Sequence, residues 1–293
     1  MWPLFGEAHW RLKLDEKNVK RRLMIRFWLT FIFLFVLCSG NAQRKADSLF
    51  HAGKYQEAQV EYERLVFQGH APVAYWLLKK SYCQKAQINY AAALETMKRV
   101  DLYNSPDSLQ GRLFYEVVLL HYLHQQPDLA LSRIQEWRYL QAAGVTEPFE
   151  IMEILSLAEL GRWPEASQAF SAWSSKYRAD SISNPLKDAS RIKWRKVKKA
   201  EALSFVLPGS GQWYAGFPGR GMVSTGLSAG AVLFAIHQFS NGFFFSGAYT
   251  GVGLFYLFYW GGARYAVKLA EAKNREQKQA LLVALHQAFD SGR

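Results

Sequence analysis

Apolar and polar positions follow two rhythms along this chain. Between Asp47 and Tyr177 the pattern is helical and broken by short polar turns, and one arrangement recurs. Gly53-Lys54-Tyr55-Gln56-Glu57-Ala58 is followed by Tyr62, and Asn89-Tyr90-Ala91-Ala92-Ala93 by Met97. Gln126-Pro127-Asp128-Leu129-Ala130 leads to Ile134 and Trp137; Gly161-Arg162-Trp163-Pro164-Glu165-Ala166 leads to Phe170 and Trp173. Ala58, Ala93, Ala130 and Ala166 are spaced by 35, 37 and 36 residues, a fixed period of the kind that stacked helical units produce. The turn ends one helix and the aromatic packs into the corner. The alanine admits a close helix partner, and the large residue four positions on lies on the same face. About four antiparallel helical hairpins are predicted over residues 43–180.

The second rhythm is continuous. Ser181-Ile182-Ser183-Asn184-Pro185 interrupts the helices and marks a boundary, and residues 181–200 form a basic linker. Gly221 to Phe239 is nineteen residues without a charge, and Phe243 to Gly262 is twenty more, separated by Ser240-Asn241-Gly242. Each is close to the length a helix needs to cross a bilayer. Residues 201–263 therefore read as a two-span membrane hairpin. Gly226 with Gly230, and Gly247 with Gly251, are expected to bring the two backbones together. Trp213, Tyr214 and Phe217 before the first span, and Tyr259, Trp260 and Tyr265 around the exit of the second, suit the interface. In residues 264–293, Leu281, Leu282, Leu285 and Phe289 make a helical stripe free to dock on the repeats, dimerise or lie on the membrane. The predicted class is all-α throughout.

The repeat resembles the tetratricopeptide repeat (TPR), over roughly residues 44–180. The likeness is strongest in the second helices of the first and fourth units. In the first helices only Ala46 and Ser81 hold the expected small residue, and the third unit replaces the turn glycine and places Pro127 at a helix start. The resemblance implies a TPR-like solenoid whose first helices line a concave face for a peptide or helix. Lys79, Lys80, Tyr82, Arg112, Tyr115, Glu116, His121 and Tyr122 are its exposed candidates. The alternating Lys and Asn of carboxylate-clamping members is absent. A second resemblance rests on Pro208-Gly209-x-Gly211-Gln212-x-Tyr214-x-Gly216 followed by two short spans. It is similar to a small two-transmembrane domain of bacterial envelope proteins, and the pairing with repeats is similar to uncharacterised cell-envelope proteins of Bacteroidota. Pro208, Gly209, Gly211, Gln212, Tyr214 and Gly216 then form a turn at the membrane surface. A phosphate-cradling loop is excluded, because Tyr214 stands where a third glycine would be needed and no Gly-Lys-Ser/Thr follows.

Charge sharpens the picture. The chain carries a formal +12, and Lys187 to Lys199 holds seven basic residues against one Asp. Beside a membrane segment such a run reads lipid head groups rather than nucleic acid. Arg191, Lys193, Arg195, Lys196, Lys198 and Lys199 are its candidates, with Trp194 at the interface. At the N-terminus, Met24-Ile25-Arg26, the apolar run Phe27 to Leu37 and small residues before Gln43 predict a signal peptide, Met24–Ala42, cut after Ala42. Met24 alone would start a complete signal, leaving residues 1–23 as an upstream extension. Cleavage would put the repeats in the periplasm, hold the hairpin in a bacterial inner membrane and leave Cys83 as the single cysteine. The basic flanks of the hairpin run against the positive-inside rule, which weakens beside large translocated domains.

No metal-ligand spacing, nucleophile motif or kinase signature appears, so neither an enzyme nor a cofactor is expected. The expected function is a membrane-anchored scaffold or adaptor that binds proteins at the cell envelope and serves envelope or membrane-protein assembly. The alternative is a membrane-active hairpin that oligomerises or aids insertion or transport, with the repeats regulatory.

Overall fold

A computed structural model describes residues 43–141, 146–178 and 182–291. The anticipated signal peptide and upstream extension lie outside these residues. Among the described residues the chain is helical throughout, with no strand. It divides into two compact units between Met152 and Glu153, ahead of the Ser181–Pro185 break.

The first unit contains α1 (43–51), α2 (Tyr55–Phe67), α3 (Val73–Ala86), α4 (Tyr90–Lys98), α5 (Asp107–Leu123), α6 (Pro127–Leu140) and the start of α7 (Glu147–Glu159). From α2 to α6 each helix packs on its neighbour in sequence, and α3 also touches α5. Ala58 lies in a buried cluster with Ala46, Tyr62, Leu65, Trp76 and Cys83. Ala93 lies in a second with Leu77, Leu94, Met97, Leu113 and Leu120. Further along, Trp137 stacks between Phe114 and Phe149 at ring-centroid separations of 4.7 and 5.6 Å. Alanine at each crossing lets large side chains from the partner helix fill the remaining space.

The turns repeat at the level of the backbone. Gly53, Ile88, Gln125 and Gly161 all have φ between 59° and 74°, the left-handed conformation that ends a helix. In each, the amide of the following residue donates to a carbonyl five residues back: Lys54 to Leu49, Asn89 to Gln84, Gln126 to His121 and Arg162 to Leu157. The turns share one geometry although only two of the four residues are glycine.

The second unit contains the rest of α7, α8 (Trp163–Arg178), a short 3₁₀ turn (Ala189–Arg191), α9 (Val197–Val206), α10 (Ser210–Tyr214), α11 (Pro218–Ser240), α12 (Phe244–Ser246), a π-helical turn (Gly247–Val252) and α13 (Gly253–Ser291). Among the described residues one helix, α11, is long and apolar enough to cross a membrane. Its 23 residues extend about 35 Å at the α-helical rise. The expected second span is divided among α12, the π turn and the start of α13. The expected separation between that span and the tail is missing, because α13 continues for 39 residues. No proline or glycine after Gly262 interrupts it. At its far end Phe289 packs on Phe170 and Trp173 of α8, with ring centroids 5.8 and 4.9 Å away. The predicted stripe thus docks through Phe289 on α8.

Candidate functional site

The Pro208–Gly216 segment packs tightly against its neighbours within the second unit. Gly209 has φ 95°, and a Cβ there would overlap Thr225 Oγ1 and the Gly221 carbonyl oxygen. A Cβ on Gly211 would overlap the Ala200 carbonyl oxygen and Ser204 Oγ, and one on Gly221 would overlap the Trp213 indole. These glycines are required by the closeness of α9, α10, α11 and α13 as well as by backbone angle. Ala200, Ala215, Ala266, Leu269 and Ala270 form the buried core beneath them.

Polar groups close the knot. Gln212 is fully buried; its Nε2 donates to the Gly262 carbonyl oxygen at 2.9 Å, and Ser204 Oγ donates to its Oε1 at 3.5 Å. Thr225 Oγ1 donates to the Pro208 carbonyl oxygen at 2.6 Å, and Ser210 Oγ to that of Leu203 at 2.6 Å. Tyr259 donates its hydroxyl hydrogen to the Phe205 carbonyl oxygen at 2.6 Å. Asn274 clamps the linker to α13: its Oδ1 accepts from the Arg195 amide and its Nδ2 donates to the Arg195 carbonyl oxygen, both at 2.8 Å. Gln212, Thr225, Ser210, Tyr259 and Asn274 thus all reach partners, as burial away from water demands, whereas Arg195 Nε and Ser228 Oγ are buried without one.

Around this knot runs a ring of cations and aromatics. The Arg195 guanidinium and Lys199 ammonium lie over the Tyr214 ring at 5.5 and 5.3 Å, and Arg220 lies over Phe217 and Tyr265 at 5.4 and 5.7 Å. The Tyr214 hydroxyl accepts from the Lys196 amide at 3.1 Å. Among the described residues no carboxylate pairs with Arg195, Lys199 or Arg220. On α11 and residues 243–260 the apolar side chains face outward: Leu233, Phe245 and Tyr249 are 66, 83 and 77 % exposed. Met222, Val223, Ile236, Phe244, Tyr256 and Leu257 are exposed as well.

The anticipated glycine pairs divide. Gly247 packs against the Phe239 ring, and Gly251 lies so near Ala235 that a Cβ would come within 2.5 Å of its methyl. Gly226 and Gly230, by contrast, are exposed, with nothing within 4 Å of where a Cβ would stand. The helical period explains the correction: Gly221, Ser228, Ala231 and Ala235 are buried along one stripe of α11, and positions 226 and 230 fall outside it. The Trp194 assignment also changes. Its ring stacks on Trp163 at 5.4 Å with planes 6° apart, which holds it against α8. Arg191 bonds Asp188 at 2.9 Å, while Lys193, Lys196 and Lys198 remain exposed on the linker.

The groove candidates sit on α3 and α5, yet of the eight only Arg112 is exposed. Lys79 lies over the Phe50 and Tyr75 rings and pairs with Asp47 at 3.8 Å. Lys80 donates to Glu63 at 2.8 Å, and Glu63 also takes two hydrogen bonds from Arg99 at 2.8 and 3.0 Å. Those bonds, the Arg99 pair above all, hold the Glu63 carboxyl down at about 2. Tyr82 is half-buried under the Lys85 ammonium, and Tyr115 meets Phe149 edge to face at 5.6 Å. Glu116 is 3 % exposed and accepts from Lys85 at 2.7 Å; burial pushes its carboxyl up. Tyr122 is half-buried. His121, whose ring nitrogen lies 3.1 Å from Gln126 Oε1, lines a cleft of about 310 Å³ with Lys98, Arg133 and Tyr103, and burial lowers its pKa.

Arg220, Thr225, Gly221, Gly262, Tyr265 and Asn274 complete the site without having been singled out in the sequence as a group. Only Gly221, Gly262 and Tyr265 carried a signal, the glycines as the limits of uncharged runs and the tyrosine as an interfacial aromatic. Among the described residues no three His, Cys, Asp or Glu side chains gather to hold a metal ion. Comparison with protein-family models, with curated proteins and with solved structures finds no match to this chain.

Proposed function

We propose that this chain is a membrane-anchored adaptor of the TPR type. In this reading α11 and residues 243–262 form a two-span hairpin, and the helical pairs of the first unit bind a protein partner at the cell envelope. The observation that carries the anchoring is the outward apolar belt on α11 and residues 243–260. In water it would cost roughly 25 cal/mol for each Å² of apolar surface left exposed. Partner binding is supported by the four equivalent turns at a 35–37-residue spacing, since stacked hairpins present extended surfaces. The repeats face the periplasm, and the cation–aromatic ring sits at head-group depth.

Topology tests it. Ser190→Cys in a chain with Cys38 and Cys83 replaced by Ser gives one exposed thiol on the linker. Labelling of spheroplasts by a membrane-impermeant maleimide is expected. Labelling only after the inner membrane is broken would place the repeats in the cytoplasm instead. A chain that alkaline carbonate strips from membranes would sink the anchoring itself.

A second reading, a hairpin that oligomerises within the membrane, draws on the exposed Gly226–Gly230 face of α11. Gly226→Leu separates the two: it would abolish the activity of a membrane-active hairpin and leave an adaptor's partner capture intact.

A further inference from the structure

Between α11 and α13, just past the Pro208–Gly216 knot, lies an open cleft of about 570 Å³. It is lined by Val223 and Leu227 of α11 and by Leu257, Phe258, Gly261 and Gly262 of α13. The glycines leave room beside the helix backbone, and the large residues make the cleft apolar. At one end the chemistry changes. Arg220 Nη1 donates to the Tyr265 hydroxyl at 2.6 Å. The hydroxyl accepts that bond and so keeps its own hydrogen to offer, while the guanidinium has further N–H groups directed elsewhere. Arg195 and Lys199 stand over Tyr214 on the adjoining turn, and among the described residues no carboxylate neutralises any of the three cations.

We propose that this cleft holds one anionic phospholipid, an acyl chain lying along Leu227 and Leu257 and its phosphate taken by the Arg220 guanidinium and the Tyr265 hydroxyl. The assignment rests on the membrane reading above and adds a defined, head-group-selective lipid site to it. A bilayer supplies acyl chains to any exposed groove at this depth. What singles out an anionic lipid is charge: the mouth presents an arginine and a hydroxyl hydrogen, with two more cations on the adjacent turn. A planar guanidinium suits phosphate oxygens through two parallel N–H bonds. A cleft of this size is within the range of small-molecule sites.

The test uses the full chain in phosphatidylcholine vesicles doped with phosphatidylglycerol bearing a photoactivatable group on its acyl chain, and a matched phosphatidylcholine probe in parallel. Phosphatidylglycerol label is expected to concentrate on α11 and α13 at the cleft, above the phosphatidylcholine label. Arg220→Gln should lower that preference roughly fivefold, the effect of removing one arginine near a lipid surface. Arg220→Lys should recover part of it. Leu227→Trp, at a half-exposed position, should fill the cleft and remove the label from both probes while the chain still floats with vesicles. Equal labelling by the two lipids, label spread evenly round the belt, or label that survives Leu227→Trp would overturn the proposal. So would displacement by soluble glycerol phosphate, which would make the clamp a head-group site alone. A chain that fails to float with vesicles of either lipid overturns the membrane reading and this site together. A chain that floats but shows no preference overturns only the site.

Discussion

Glycine does opposite work in the two parts of this molecule. In the repeat turns it serves through its backbone angle, and the surrounding space is open: a Cβ at Gly53 would meet nothing within 4 Å. Such a position tolerates replacement, and Ile88 and Gln125 occupy the equivalent place in two of the four turns. At Gly211, Gly221, Gly251 and Gly262 the backbone angle is ordinary, and it is the missing side chain that matters, because another helix already fills the space. Turn glycines are therefore exchangeable at a modest cost in strain, whereas the crossing glycines are fixed by volume.

The largest effect should come from volume. Gly211→Ala drives a methyl into the Ala200 carbonyl and Ser204 hydroxyl and is expected to destabilise the second unit by about 3 kcal/mol. Urea unfolding in detergent, followed by tryptophan fluorescence, measures it. Gly226→Ala in the same assay should lose nothing and gain up to about 1 kcal/mol, because alanine suits an open helix interior better than glycine. Equal losses at the two sites would break the comparison. Next is Gln212→Leu, expected to cost about 2 kcal/mol by taking the donor from the Gly262 carbonyl inside the knot. A loss near zero would mean that the knot is held by packing alone.

The turns should respond in the reverse direction. Ile88→Gly relieves a β-branched residue held at φ 60° and should stabilise the first unit by about 1 kcal/mol. Gly53→Ala should lose about 1 kcal/mol at the matching turn. Thermal melts of the two variants therefore move apart, and movement in the same direction would undo the equivalence of the turns.

The smallest effect is electrostatic. The Glu63 carboxyl is held at about 2 against an ordinary 4.5 by Arg99 and Lys80. Its folded value is depressed, so its contribution is complete above about pH 4.5 and is lost as pH falls toward 2. Glu63→Gln should flatten stability against pH across that window and leave the neutral-side slope unchanged. An unaltered acid limb would remove Glu63 from the account.

What could be read from the sequence was what depends on periodicity. Helical class, the alanine crossings and the long uncharged run of α11 follow from residue type at fixed spacing. The Pro208–Gly216 turn announced itself through its glycines, but its partners did not. Asn274 is 79 residues from Arg195 and sits in an ordinary polar stretch, so nothing local marks it as a clamp. Gly226 and Gly230 misled because spacing along a helix fixes which residues share a face, not which face meets a neighbour. Lys79, Lys80 and Glu116 misled for a related reason. Their charges suggested solvent, yet each has an opposite charge or an aromatic ring within reach from a neighbouring helix.

The unbroken run of α13 has a mechanical consequence. From Gly253 to Ser291 it is a rod of about 58 Å, gripped at one end by the α11 contacts and at the other by Phe170 and Trp173. The same unbroken helix therefore joins the cleft beside α11 to the aromatic seat on α8, so neither end can shift along the helix axis without carrying the other.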